Sequence, residues 1–421
     1  MSDSLLMLGR QPALGLAELE ALYGPHALQP VGSHAARLRR EPQAVDFRRL
    51  GGSFKLAEIL GTLGTLKWNA LEAYLLKTLP DQLATLPEGK ITLGLSSYGL
   101  DASPARVGAT ALSLKKALRT HGRSVRIVPN QAVALNSAQV IHNHLTGQNG
   151  CEIVLVGNAA GNTTTVARTV TEQDIADYTL RDRGRPKRDT KVGMLPPKLA
   201  QIIINLAAGS NPPAAGFAVL DPFCGTGVIL QEALLMGYSA LGSDLDQRMI
   251  DYTAANLDWL AWQYDKIRGT DRGFQLGDAT SHTWETSEFI DQNGTAADAK
   301  RIPAHIDAVA SETYLGRPFT GPPDPVTLAK TTSECNLILK KFLRNIHGQL
   351  QPGTRLCLAV PAWVTTNGRT SPRKFIHLPL IDQLGDLGYN RVSFEHVSSD
   401  QLLYYREDQI VARELLVLTK Q

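Results

Sequence analysis

The run Asp221-Pro222-Phe223-Cys224-Gly225-Thr226-Gly227 places an acid, an aromatic ring and two glycines close together. Glycine carries no Cβ, so a ligand can approach the backbone of such a turn closely. The acid has the wrong charge for a phosphate-binding turn and the right one for an ammonium group. Two more acids follow short apolar stretches. Asp244 closes Ala240-Leu241-Gly242-Ser243, and Asp278 closes Phe274-Gln275-Leu276-Gly277. An acid about twenty residues beyond a glycine turn is the usual partner of a ribose diol in Rossmann-like sheets. Asp278 is placed to meet an adenine amino group. Three such acids suit a cationic adenosyl ligand, S-adenosylmethionine. The expected cofactor contacts are Asp221, Phe223, Gly225, Gly227, Asp244 and Asp278. Taken alone, the glycines also fit an ordinary strand-to-helix turn.

These residues need elements to hold them. Phe217-Ala218-Val219-Leu220 reads as a strand ending at Asp221, and Val228 to Ala233 as the helix that follows. A fourth strand, Ile306 to Ala310, leads into Ser311-Glu312-Thr313-Tyr314. Pro196-Pro197 opens a helix from Lys198 to Leu206 with Leu199, Ile202, Ile203 and Leu206 on one face. A helix near Ser333–Ile346, a strand at Arg355–Val360 and two terminal strand candidates complete the sheet. Residues 285–305 read as a polar surface insertion. Upstream, strands alternate with helices, as in a small α/β domain. The helix from Ala105 to Thr120 leaves a basic face bearing Lys115, Lys116 and Arg119.

At 421 residues the chain is long for one domain. We expect an N-terminal α/β domain at 1–85, a second domain at 86–172, a basic linker at 173–195 and a Rossmann-like domain at 196–421. Residues 1–190 hold 22 Lys and Arg against 16 Asp and Glu, whereas 191–421 hold 21 against 24. A basic first half joined to an acidic second half suits a polyanion-binding module attached to a catalytic one. The segment Tyr178–Arg188 packs Arg181, Arg183, Arg185, Lys187 and Arg188 into eight positions. It reads as a linker, as a strip lying along a phosphate backbone, or as both. No apolar run is long enough for a transmembrane helix, and the N-terminus lacks a signal peptide's basic region. Four cysteines without a Cys-x-x-Cys pair argue against a disulfide framework or a zinc ribbon, and fit a reducing cytoplasm. Cys224 reads as a small packing residue. No metal site is expected.

Four stretches carry a family resemblance: Leu135 to Ile141, Tyr178 through Pro186, Met194 to Ala200, and Asp221 through Gly227 with Asp244 and Asp278 behind it. With them the chain resembles the THUMP-domain tRNA guanine-N2 methyltransferases, related to the archaeal enzyme. The resemblance implies a class I methyltransferase sheet preceded by an α+β THUMP-containing region that binds tRNA. It also implies transfer of a methyl group to the exocyclic amine of a guanine. In that family the fourth strand ends in Asp/Asn-Pro-Pro-Tyr. Here Ser311-Glu312-Thr313-Tyr314 stands in its place, so the expected catalytic group is Ser311, Glu312 and Tyr314. Tyr314 would stack on the extruded base and Glu312 would accept a hydrogen bond from its amine. Glu312 could instead face solvent or pair with Arg317. Arg181, Arg183 and Arg185 join Lys115, Lys116 and Arg119 as expected RNA contacts. Two other readings remain open: a tRNA-binding protein with a decayed methyltransferase domain, and a DNA amino-methyltransferase.

Overall fold

The computed structural model describes residues 2–189, 194–212, 216–267, 270–284, 305–319, 321–364, 374–407 and 409–421. Apart from His305, the insertion expected at 285–305 lies outside these residues. The chain forms two compact units, Met1–Asp177 and Tyr178–Gln421.

The first unit runs β1 (Ser4–Leu8), α1 (Pro12–Tyr23), β2 (Leu28–Val31), β3 (Ala35–Leu38), β4 (Ser53–Leu63), α2 (Trp68–Ala84), β5 (Ile91–Tyr98), α3 (Pro104–Thr120), β6 (Val125–Ile127), α4 (Ser137–His142), β7 (Gly150–Asn158) and β8 (Thr163–Glu172). Its strands form one sheet in the order β2-β3-β1-β4-β8-β7-β5-β6. The segments expected as separate, 1–85 and 86–172, share this sheet, because β4 pairs with β8. Helix α3 shows why the local sequence folds as it does. Ser103 Oγ accepts from the Arg106 amide at its start, and Pro104 occupies the first turn. Val107, Ala111, Leu114 and Leu118, spaced by threes and fours, are buried in the core beside α2. The opposite face leaves Lys116 and Arg119 exposed and Lys115 half-buried. Helix α4 opens with a capping box in which Asn136 and Gln139 each satisfy the other's backbone amide.

The centre of this sheet holds charge. Lys55 on β4 is fully buried, and its Nζ lies 2.6 Å from both carboxylate oxygens of Glu152 on β7. It also lies 3.5 Å from Glu172 on β8. Ser96 on β5 and Thr169 on β8 donate to Glu152, and Ser137 donates to Glu172. One ammonium thus serves two buried carboxylates. Burial outweighs Lys55 and pushes Glu172 up to about 7.

Helix α5 (Ile175–Thr179) crosses the boundary between the units. The second unit continues with α6 (Pro197–Ala208), β9 (Ala218–Asp221), α7 (Val228–Leu235), β10 (Ser239–Asp244), α8 (Gln247–Gln263), β11 (Arg272–Leu276), β12 (Ala308–Glu312), α9 (Pro325–His347), β13 (Arg355–Val364), β14 (Phe375–Ile376), β15 (Tyr389–Arg391), β16 (Leu403–Tyr404) and β17 (Val411–Lys420). The main path of its sheet is β11-β10-β9-β12-β13-β17-β15. Strands β9 to β13 are mutually parallel, and β17 runs antiparallel beside β13. The order grows outward from β9 in both directions, so β9 and β12 flank the point where the winding reverses. Open α/β sheets bind their ligands there, beyond the strands' carboxyl ends.

The basic segment after Tyr178 belongs to this unit rather than to a free linker, and two of its arginines are internal. Arg181 is 6% exposed, and its Nε lies 2.8 Å from Glu232 on α7. Its guanidinium also sits 4.6 Å from the Tyr178 ring. Arg185 is 2% exposed. Burial removes both from the expected RNA contacts. Arg183 remains exposed. The four cysteines are free and buried: Cys151 in the first unit, and Cys224, Cys335 and Cys357 in the second.

Two outcomes follow from these buried charges. Lys55→Met strands Glu152 in the core and should cost about 3–5 kcal/mol in denaturant unfolding. Glu172→Gln should cost less. It should also remove a decline in stability as pH rises toward 7, because a raised carboxyl favours the native state only while protonated. Arg181→Gln leaves Glu232 buried beside a weaker partner. It should lower stability by up to about 3–5 kcal/mol in denaturant unfolding.

Candidate active site

Strand β9 ends at Asp221, which is 2% exposed. Its Oδ1 accepts from Ser311 Oγ at 2.6 Å and from the Phe223 amide at 3.2 Å. Ser311 is itself fully buried on β12. The contact therefore joins the ends of the two strands at the winding reversal. Burial pushes Asp221 up to about 8, and its two hydrogen bonds only partly offset this. Its Oδ2 has no hydrogen-bond partner among the described residues.

The loop beyond Asp221 is held atom by atom. Gly225 and Gly227 adopt φ of +52° and +80°, in the left-handed region that side chains resist. A Cβ on Gly227 would also come within 3.0 Å of the Thr253 hydroxyl. The Gly225 amide donates to Asp244 Oδ2 at 2.9 Å, and its carbonyl accepts from Thr253 Oγ1 at 2.9 Å. Asn256 Nδ2 donates to the Thr226 carbonyl at 2.8 Å. The same side chain exchanges two hydrogen bonds with the Lys187 backbone, at 2.9 and 3.0 Å. It thus ties the basic segment to the glycine loop. Cys224 packs in the loop's interior, and burial drives its thiol well above the ordinary value, so it is no nucleophile.

The other expected residues take distinct places. Asp244 lies at the end of β10, and burial raises its carboxyl too. Asp278 is exposed just beyond β11, where its Oδ1 accepts from the Thr280 amide and hydroxyl. The Phe223 ring packs edge-on against Phe342, 5.2 Å between centroids. Tyr314 is partly buried against the same core. Glu312 pairs with Arg413 on β17, not with Arg317. Ser311 is fully buried and gives its hydroxyl hydrogen to Asp221. Thr253, Asn256 and Arg413 escaped the sequence reading. The first two sit on α8 among ordinary helical residues, and nothing in the local pattern shows that they reach the loop.

Three carboxylates thus gather near the reversal. Asp244 and Glu312 both act electrostatically on Asp221. A buried acid with no cation beside it and one oxygen uncommitted is chemically matched to an incoming ammonium. Among the described residues no cluster of His, Cys, Asp or Glu could hold a metal ion, and no helix is long and apolar enough to cross a membrane.

No family model matches the chain. Over 173 residues it is 28% identical to a tRNA (guanine(10)-N2)-dimethyltransferase of Methanothermobacter thermautotrophicus, covering 41% of this chain and 40% of that protein. Over 89 residues it is 39% identical to the enzyme of the same name from Methanocaldococcus jannaschii, covering 21% and 24%. The matches therefore span less than half the length of these relatives. Among solved structures, a possible methylase from Clostridium difficile aligns over 100% of this chain and 99% of that one, with 10% identity and a TM-score of 0.51. That likeness speaks for the fold. Part of the chain is thus similar in sequence to archaeal tRNA (guanine(10)-N2)-dimethyltransferases, and its fold is that of the Clostridium difficile protein.

Proposed function

We propose that the protein is a cytoplasmic S-adenosylmethionine-dependent tRNA methyltransferase acting on the exocyclic N2 amine of a guanine. The observation that carries this reading is the pairing of Asp221 and Asp244 around a left-handed glycine loop at the winding reversal. The kind of substrate is taken from the archaeal relatives. The first unit is read as the THUMP-containing tRNA-binding module, with Lys115, Lys116 and Arg119 toward phosphates.

The bound sulfonium would supply the methyl group. Asp221 holds the ligand's ammonium through Oδ2, and Ser311 keeps that carboxylate aimed. Asp244 keeps lone pairs for the ribose hydroxyls while its oxygens anchor the Gly225 and Asp246 amides. Asp278 lies farther out, toward the adenine. Tyr314 offers a ring face to the flipped base. Arg413 engages Glu312 Oε1, which leaves Oε2 to accept the hydrogen that the amine would shed as its N–C bond formed and the methyl–sulfur bond broke, its electron pair staying on sulfur.

Unmodified tRNA, incubated with labelled cofactor and digested to nucleosides, should yield N2-methylguanosine by mass spectrometry. No labelled nucleoside with any tRNA would overturn the reading. Asp244→Ala should weaken cofactor binding by about 1–3 kcal/mol in calorimetry. Tyr314→Ala should slow single-turnover transfer by up to about a hundredfold with cofactor affinity kept. Cofactor affinity should also rise with pH up to about 8, because the ammonium needs Asp221 ionised and binding expels its proton. Asp221→Asn should flatten that profile.

A further inference from the structure

A second feature of the C-terminal unit is linked to Glu312 through its partner Arg413. A cavity of about 300 Å³ is lined by Asp182, Arg183, Arg188, Tyr404, Arg406 and Arg413, among others. Four guanidinium groups face one carboxylate in this wall. Arg183 and Arg188 are exposed and make no hydrogen bond or ion pair among the described residues. Arg413 is 5% exposed and stands opposite Tyr404 on the paired strands β16 and β17, with its guanidinium 6.0 Å from the ring centre. Arg185 feels the charges of both Asp182 and Arg188. It is 2% exposed, and none of its three guanidinium nitrogens has a hydrogen-bond partner among the described residues. With Arg413 set against Glu312, Arg183 and Arg188 still give the cavity wall more positive charge than Asp182 alone offsets.

Guanidinium forks match the planar spread of phosphate oxygens, and an adjoining tyrosine suits a sugar or base. The volume lies at the lower end for ligand pockets, which run from about 300 to 1,000 Å³. That is room for one phosphate with its attached sugar. Because Arg413 also holds Glu312, the cavity borders the strand end at which the target amine is read to react.

We propose that this cavity is a phosphate site for the substrate RNA strand, seating a backbone phosphate beside the flipped nucleotide. The inference rests on the methyltransferase reading for its choice of RNA, but its test is binding alone. The variant Arg183→Gln/Arg188→Gln changes two exposed side chains, and a retained melting temperature checks that it folds. Fluorescence anisotropy of labelled tRNA on the full chain, across a salt series, should show weaker binding by the variant. The slope of log affinity against log salt should shrink by about 1–2 units. Calorimetry with inorganic phosphate alone should give no measurable binding to either protein. Equal tRNA affinity and slope in wild type and variant would overturn the proposal. Phosphate binding that the variant loses while tRNA binding is kept would overturn it too, and assign the cavity to a free anion. Loss of tRNA binding in the variant, from a wild type that transfers no methyl group, would sustain the phosphate site and sink the reaction instead.

Discussion

A carboxylate taken out of water with no cation beside it is held at a cost, and Asp221 is such a group. What makes its position tenable is the Ser311 hydroxyl, delivered by the neighbouring strand because the sheet winds outward from β9 on both sides. The same oxygen of Asp221 also takes the Phe223 amide, which starts the loop on its path. Further along, Asp244, Thr253 and Asn256 each take one backbone group of Gly225 or Thr226. The loop is thus determined by side chains from β10, β12 and α8. A glycine-rich turn, free to adopt many conformations on its own, acquires one.

This explains why the site was only partly legible in the sequence. Acids at the ends of successive strands announce themselves, because each follows an apolar stretch and precedes a turn. Asp221 and Asp244 stand out in that way, and both end strands beside the glycine loop. Ser311 follows the fourth strand's apolar run, but its hydrogen bond to Asp221, 90 residues away, has no local signal. Its side chain is a hydroxyl, with a hydrogen to give as well as lone pairs. It can serve as donor to the carboxylate on the next strand. Glu312 was recognised as a candidate acceptor, yet its partner Arg413 lies 101 residues on. No local pattern reveals such a pairing.

Charge was the less reliable guide. The run from Arg181 to Arg188 looks in sequence like a solvated, phosphate-seeking strip. Arg181 turns inward to meet Glu232, and Arg185 turns inward with no hydrogen-bond partner among the described residues. In the first unit, Lys55 and Glu152 lie in strands whose apolar neighbours gave no hint that a buried pair crosses from β4 to β7. The proposed border at residue 85 failed to separate sheets for a related reason. Strand pairing between β4 and β8 joins residues about a hundred positions apart, whereas composition and turn signals report only on neighbours.

The four cysteines have a practical consequence. Only a thiolate attacks an alkylating reagent, and burial raises every one of these thiols while also shielding it. In the native protein all four should be silent. Cys151 reports on the first unit and the other three on the second, so each becomes labelled only when its own surroundings open. The wild-type chain therefore carries its own clock for local opening. Peptide-resolved labelling rates can time the two units separately, with no probe introduced.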